Sequence, residues 1–296
     1  MDSAATISRS SSNRGIHLLQ AGILSVLITW LYAPIASGLV IECWRNPDYA
    51  YGLVVPLFSL FVLWQDRAKL SKLPLRPSWS GFVMLLIAIL ALVIGTISSE
   101  FFLPRISFLF LICGIVVFFA GWKHLFAISF PLGFLFLMAP SSSIFNHITL
   151  PLQLIASNAG AFLLKLGGVS VAREGNILLL PGARLQVAEA CSGIHSLFSL
   201  LTLAIIYGYA VEKKIVIRFL LAFAAVPIAI AANGLRIALA AIALQYLGLQ
   251  KTGGLFHIFS GWAVFMVSLA MLFLFHRILG ISFGRIPGYE TRVNHT

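Results

Sequence analysis

The stretch 79-WSGFVMLLIAILALVIGTI-97 carries no charged residue. As a helix rising about 1.5 Å per residue it would reach about 28 Å, close to the ~30 Å hydrocarbon core of a bilayer. A second run, 106-ISFLFLICGIVVFF-119, follows after a short polar break. Of the 296 residues, 60% are hydrophobic and 10% are charged. A soluble domain is nearer half apolar and a quarter charged. The chain therefore reads as an all-α, polytopic membrane bundle.

Working outward from these runs, the apolar pattern predicts about eight spans, at roughly 17–41, 52–65, 80–97, 105–120, 125–140, 191–211, 219–246 and 257–277. No small-residue cleavage pattern follows the polar, Ser-rich segment 1–15, so the first apolar stretch reads as a span. Residues 1–296 read as a single integral membrane domain. Segments 1–15 and 278–296 are expected on the cytoplasmic side, and the helices of 188–277 are expected to carry the chemistry.

The formal charge of +11 raises the question of a nucleic-acid partner, which its distribution answers. With the N-terminus inside, thirteen of the twenty basic residues fall in cytoplasmic segments, among them Arg67, Lys69, Lys72, Lys213, Lys214 and Arg218. Six fall outside (Arg45, Arg105, Lys165, Arg173, Arg184 and Lys251), and Arg236 lies within a span. This is the positive-inside bias. The basicity reports orientation, and no nucleic acid is expected.

The tract 141–190 breaks the up-and-down pattern. A ninth span at 151–171 would put Lys213, Lys214 and Arg218 together in one external loop, against the charge rule. The tract is therefore expected outside, with a helix over 147–168 lying on or dipping into the outer face. Two short strands, Asn176–Leu180 and Arg184–Val187, should flank a turn at Pro181-Gly182.

Charge inside a membrane is expensive, so Arg236 is a functional candidate. Its plain alternative is an arginine snorkelling to the headgroups. Asn233 shares its helix face at i−3. Counting along the spans brings Cys191 and His257, each opening a helix, to the same outer level. A thiol at a helix N-terminus near a guanidinium favours the nucleophilic thiolate. An imidazole can pass the proton to a departing amine, and an arginine can hold an oxyanion or substrate carbonyl. Cys191 on its own reads equally as a small buried hydrophobe, like Cys43 and Cys113. His195, at i+4 from Cys191, could contact the sulfur or pack against a neighbouring helix. His124, His147 and His276 show no ligand spacing, so neither a metal nor another cofactor is expected.

The stretch 188-AEACSGIHSL-197, then Asn233-Gly-Leu-Arg236 and His257-Ile-Phe-Ser-Gly261-Trp262, resembles the exosortase/archaeosortase family. The segment 46-NPDYAYGLVVP-56, ending near Trp64, is similar to that family's early signature, but Ala50-Tyr51 stands where a Ser-His pair is usual. The resemblance implies a multi-pass bacterial inner-membrane enzyme with its site facing the extracytoplasmic side. It implies Cys191, Arg236 and His257 as catalytic residues; Asn233 and Ser192, beside them in the sequence, are substrate-binding candidates. It further implies substrates that are membrane-anchored proteins with a C-terminal sorting signal: a Pro-Glu-Pro-like motif, one transmembrane helix and a basic tail. Exopolysaccharide export components are further partners under the same resemblance. The expected activity is that of a cysteine transpeptidase or protease acting through a thioester, with the acyl acceptor left open. The rival readings are a transporter or flippase that uses Arg236 for an anionic headgroup, or a structural subunit of a polysaccharide export system.

Overall fold

A computed structural model describes residues 26–46, 49–98, 102–138, 142–187, 193–247 and 255–284. Seven helices among them are long and apolar enough to cross a membrane. The chain divides into two compact units, one formed mainly by residues up to 139 and the other by 54–62 with the residues from 140 onward.

The chain opens with α1 (Val26–Arg45) in the first unit, then the shorter α2 (Tyr51–Gln65), whose middle, 54–62, belongs to the second unit, and the single turn α3 (Arg67–Leu70) in the first. The helices α4 (Ser80–Ile97) and α5 (Phe102–Phe119) then pack closely as a hairpin. Their glycines make the contact: a Cβ on Gly81 would lie 2.3 Å from the Phe118 backbone nitrogen, and one on Gly95 would lie 2.5 Å from the Pro104 ring. Close approach through small residues is how helices associate where lipid removes any hydrophobic drive between them. Tyr32, Ala88, Leu92 and Leu111 form the buried core of this unit. Arg105, early in α5, forms an ion pair with Glu42, late in α1. Gly52 at the start of α2 abuts the Cys43 side chain, so the glycine of the early motif serves a close packing contact.

The predicted span at 125–140 is broken. It forms α6 (Trp122–Ala127), α7 (Ser129–Leu135) and one 3-10 turn (Phe136–Met138). The long helix comes next instead, as α8 (Ser142–Leu166) in the second unit. The helix expected over 147–168 is thus present and begins earlier than expected. Along α8, Leu152 lies near Ala229 and Asn233, Ala159 meets Gly234, and Gly160 meets Ile237. Rising numbers thus pair with rising numbers, and α8 runs parallel to α10 (Ile215–Leu247) through the bundle. Ser157 Oγ on α8 donates to the Gln153 carbonyl, and Asn176 Nδ2 donates to Gln153 Oε1.

After α8 comes a three-stranded antiparallel sheet of β1 (Ala172–Glu174), β2 (Ile177–Leu180) and β3 (Ala183–Gln186), in that spatial order. The expected hairpin about Pro181-Gly182 is present, and β1 is an addition to it. Gly175 and Gly182 take φ of +61° and +79° in the two turns, where L residues with a Cβ are strained. Leu178, Leu180 and Val187 seat the sheet on Ala156, Ala161, Leu164, Ile237, Ala238 and Ala241. The helices α9 (Ile194–Val211) and α10 follow, and α11 (Leu255–Gly284) runs on into the segment read as a cytoplasmic tail.

Candidate functional site

The helix expected to begin at residue 191 begins at Ile194, and Gly193 caps it in the left-handed region at φ +79°. Cys191 and Ser192 lie outside the described residues. Gly193 is fixed by its neighbour across the bundle: a Cβ there would lie 2.7 Å from Asn233 Nδ2. Asn233 is 2% exposed, which explains a polar residue this far along an apolar helix. The glycine is therefore required twice, once for its φ and once for the space the asparagine occupies.

One turn further along α10 stands Arg236, half-buried, about 32 Å from Ile215 by helical rise. Its Nε donates to Ser260 Oγ at 3.4 Å. Gly261 is the next neighbour, with its Cβ position 3.8 Å from the guanidinium Nη2. Residue 257 belongs to the first turn of α11, one turn before Gly261 on the same helix. The structure thus joins the N-terminal end of α9 to Asn233, and Arg236 to the N-terminal part of α11. Ser260 and Gly193 were not singled out in the sequence. The Ser-Gly pair between Cys191 and Ile194 was the available signal that the helix starts late.

His195 also changes place. With α9 starting at Ile194, this histidine lies in the first turn of its helix, half-buried, at the same end of α9 as Gly193.

At the opposite end of α9 lies a buried polar chain that no local sequence pattern announces. Tyr207 Oη and His276 Nδ1 are 2.7 Å apart, and His276 Nε2 lies 2.8 Å from Glu212 Oε1. The Glu212 side chain is 1% exposed and that of His276 is 10% exposed. Arg218 Nε donates to the Glu212 carbonyl, and its guanidinium lies over the Tyr209 ring at 4.8 Å. Among the described residues no group of three or more His, Cys, Asp or Glu side chains is arranged to hold a metal ion.

An apolar bundle of helices long enough to cross a bilayer, with Asn233 buried inside one of them, defines the class: a polytopic integral membrane protein. Residues 43–274 match the family model described as transmembrane exosortase (Exosortase_EpsH). The chain belongs to that family. No curated protein and no solved structure matches it.

Proposed function

We propose that the chain is a membrane cysteine transpeptidase or protease that cleaves the C-terminal sorting signal of exported proteins, with Cys191 as nucleophile. The observation that carries this reading is the pair of contacts, Gly193 with Asn233 and Arg236 with Ser260, made by three helix segments that are remote in sequence. Two peptide units separate Cys191 from Gly193, and two residues reach at most about 7 Å. His257 is likewise one turn from Gly261, which abuts the guanidinium.

In the proposed reaction the Cys191 thiolate adds to the scissile carbonyl, and Arg236 stabilises the oxyanion that forms. Collapse breaks the C–N bond, and the departing amine takes a proton from His257. The thioester then passes its acyl group to an amine or to water, and the thiolate leaves. Asn233, held against Gly193, and Ser192 would position the substrate. The first-turn place of His195 supports a second assignment of the acid–base role, to that residue.

Counting supports an outward-facing site. If the shorter α2 crosses along with α1, α4 and α5, and α8 crosses in place of 122–138, the number of spans before α9 is unchanged, and Lys213, Lys214 and Arg218 remain inside. The site would then face outward, beside the external end of a substrate's membrane helix.

The test is to co-express the protein with a tagged substrate and follow loss of the substrate's C-terminal tail. Cys191→Ser should stop processing while the variant reaches the membrane in normal amount. Full processing by that variant would remove the thiol from the mechanism and favour an anion-binding role for Arg236, as in a transporter.

A further inference from the structure

The three-stranded sheet has an edge that runs toward the site in sequence, β3 continuing through Val187 toward Cys191. Its hydrogen-bond phase can be read from one bond, Val187 N to Asn176 O. In an antiparallel ladder hydrogen-bonded pairs alternate with non-bonded ones. With the register Ile177↔Gln186, Leu178↔Leu185, Leu179↔Arg184, the main chain of Leu185 faces β2. The N–H and C=O groups of Arg184 and Gln186 therefore face away from the sheet. Both residues are exposed, and among the described residues these groups have no main-chain partner. The same sheet rests on Ile237, Ala238 and Ala241, the stretch of α10 that begins immediately after Arg236.

A bare strand edge is a template for another extended chain. Here the charge indicates which chain. From residue 165 to 187 there are three basic side chains, Lys165, Arg173 and Arg184, against one acid, Glu174. Arg173 turns back on its own turn by donating to the Gly175 carbonyl, whereas Arg184 stands exposed on the free edge.

We propose that the outer edge of β3 receives an extended, acidic segment of the protein substrate as a fourth strand, pairing its main chain with Arg184 and Gln186 and setting an acidic side chain against the Arg184 guanidinium. This deepens the peptidase reading and rests on it. A peptide bond must be drawn out of a helix before a nucleophile can reach it. Strand addition holds the chain extended without reading most of its side chains.

The test uses full-length protein in membranes, with a tagged substrate bearing either an acidic segment or the same segment with lysine in place of the acid. Gln186→Pro removes one outward N–H and leaves the β2–β3 bonds in place. The loss of that hydrogen bond should weaken substrate use by about 2- to 10-fold, seen in KM. Arg173→Pro makes the same change on the opposite edge, at β1, and should process at the parent rate. Arg184→Glu should lower use of the acidic substrate and recover with the lysine one. Parent-like use by Gln186→Pro, equal losses from Gln186→Pro and Arg173→Pro, or indifference of Arg184→Glu to substrate charge would each overturn the proposal. So would losses that track disappearance of a chain-to-chain crosslink at β3, which would make a second copy the occupant. Processing by Cys191→Ser would sink the thiol mechanism instead, a separate readout that leaves the dependence on positions 184 and 186 measurable.

Discussion

Removing the Glu212 carboxylate should destabilise the second unit more than any other single change at that end of the bundle. The carboxylate is 1% exposed and lies 2.8 Å from His276 Nε2, which in turn links to Tyr207. Truncation to alanine takes the carboxylate partner from His276 Nε2 in a buried place. Breaking a buried pair by deleting one partner costs about 3–5 kcal/mol. Glu212→Gln keeps the shape and one acceptor oxygen, so its cost should be nearer the ~1–3 kcal/mol of a damaged buried hydrogen bond. Unfolding in mixed detergent micelles, followed by circular dichroism, measures both. A cycle with His276→Ala then isolates the coupling, because partners in one network depart from additivity by about 0.5–3 kcal/mol. If Glu212→Ala unfolds within about 0.5 kcal/mol of the parent, or the double variant is strictly additive, the chain joining α9 to α11 does not bear on stability and the reasoning fails.

Gly193→Ala should abolish substrate processing, because the new Cβ meets Asn233 and the left-handed backbone costs a further ~1–2 kcal/mol; adding Asn233→Ala should relieve the clash and restore membrane levels, measured by immunoblot. With native cysteines replaced, a cysteine at Gly182 should react with an impermeant thiol reagent from outside while cysteines at Ser71 and Ser142 should not. Labelling at position 142 would return α8 to the outer surface. His257→Ala should lower processing by about 10²-fold or more, and His195→Ala should do far less. The reverse ranking in the same tail-loss assay would move the acid–base role to α9.

The α4 span was legible to the residue because nothing polar interrupts it. The α8 helix was harder to place: its apolarity suits a span while the charge rule speaks against adding one, and no sequence pattern announces that Gln153 will meet Asn176 in the turn between β1 and β2. Arg236 and Asn233 could be found because polar residues inside a span have few explanations. Where α9 starts could not, since a three-residue error at its end is within what propensity alone allows. That error put His195 a turn too deep. The Glu212–His276 pair spans 64 positions, so no local periodicity carries it, and His276 was set aside for want of ligand spacing.

The Glu42–Arg105 pair has a consequence for how the chain is made. The partners lie 63 residues apart, and ribosomes add about 5–20 residues per second. After α1 leaves the ribosome its carboxylate must wait about 3–13 s for the arginine. A lone charge could not be held in mid-bilayer for that time without cost, but at the helix ends water can keep it company. The placement of the pair at the late end of α1 and the early end of α5 thus suits synthesis as well as the finished fold: each half is tolerable alone, and translation supplies the second half before the first unit closes.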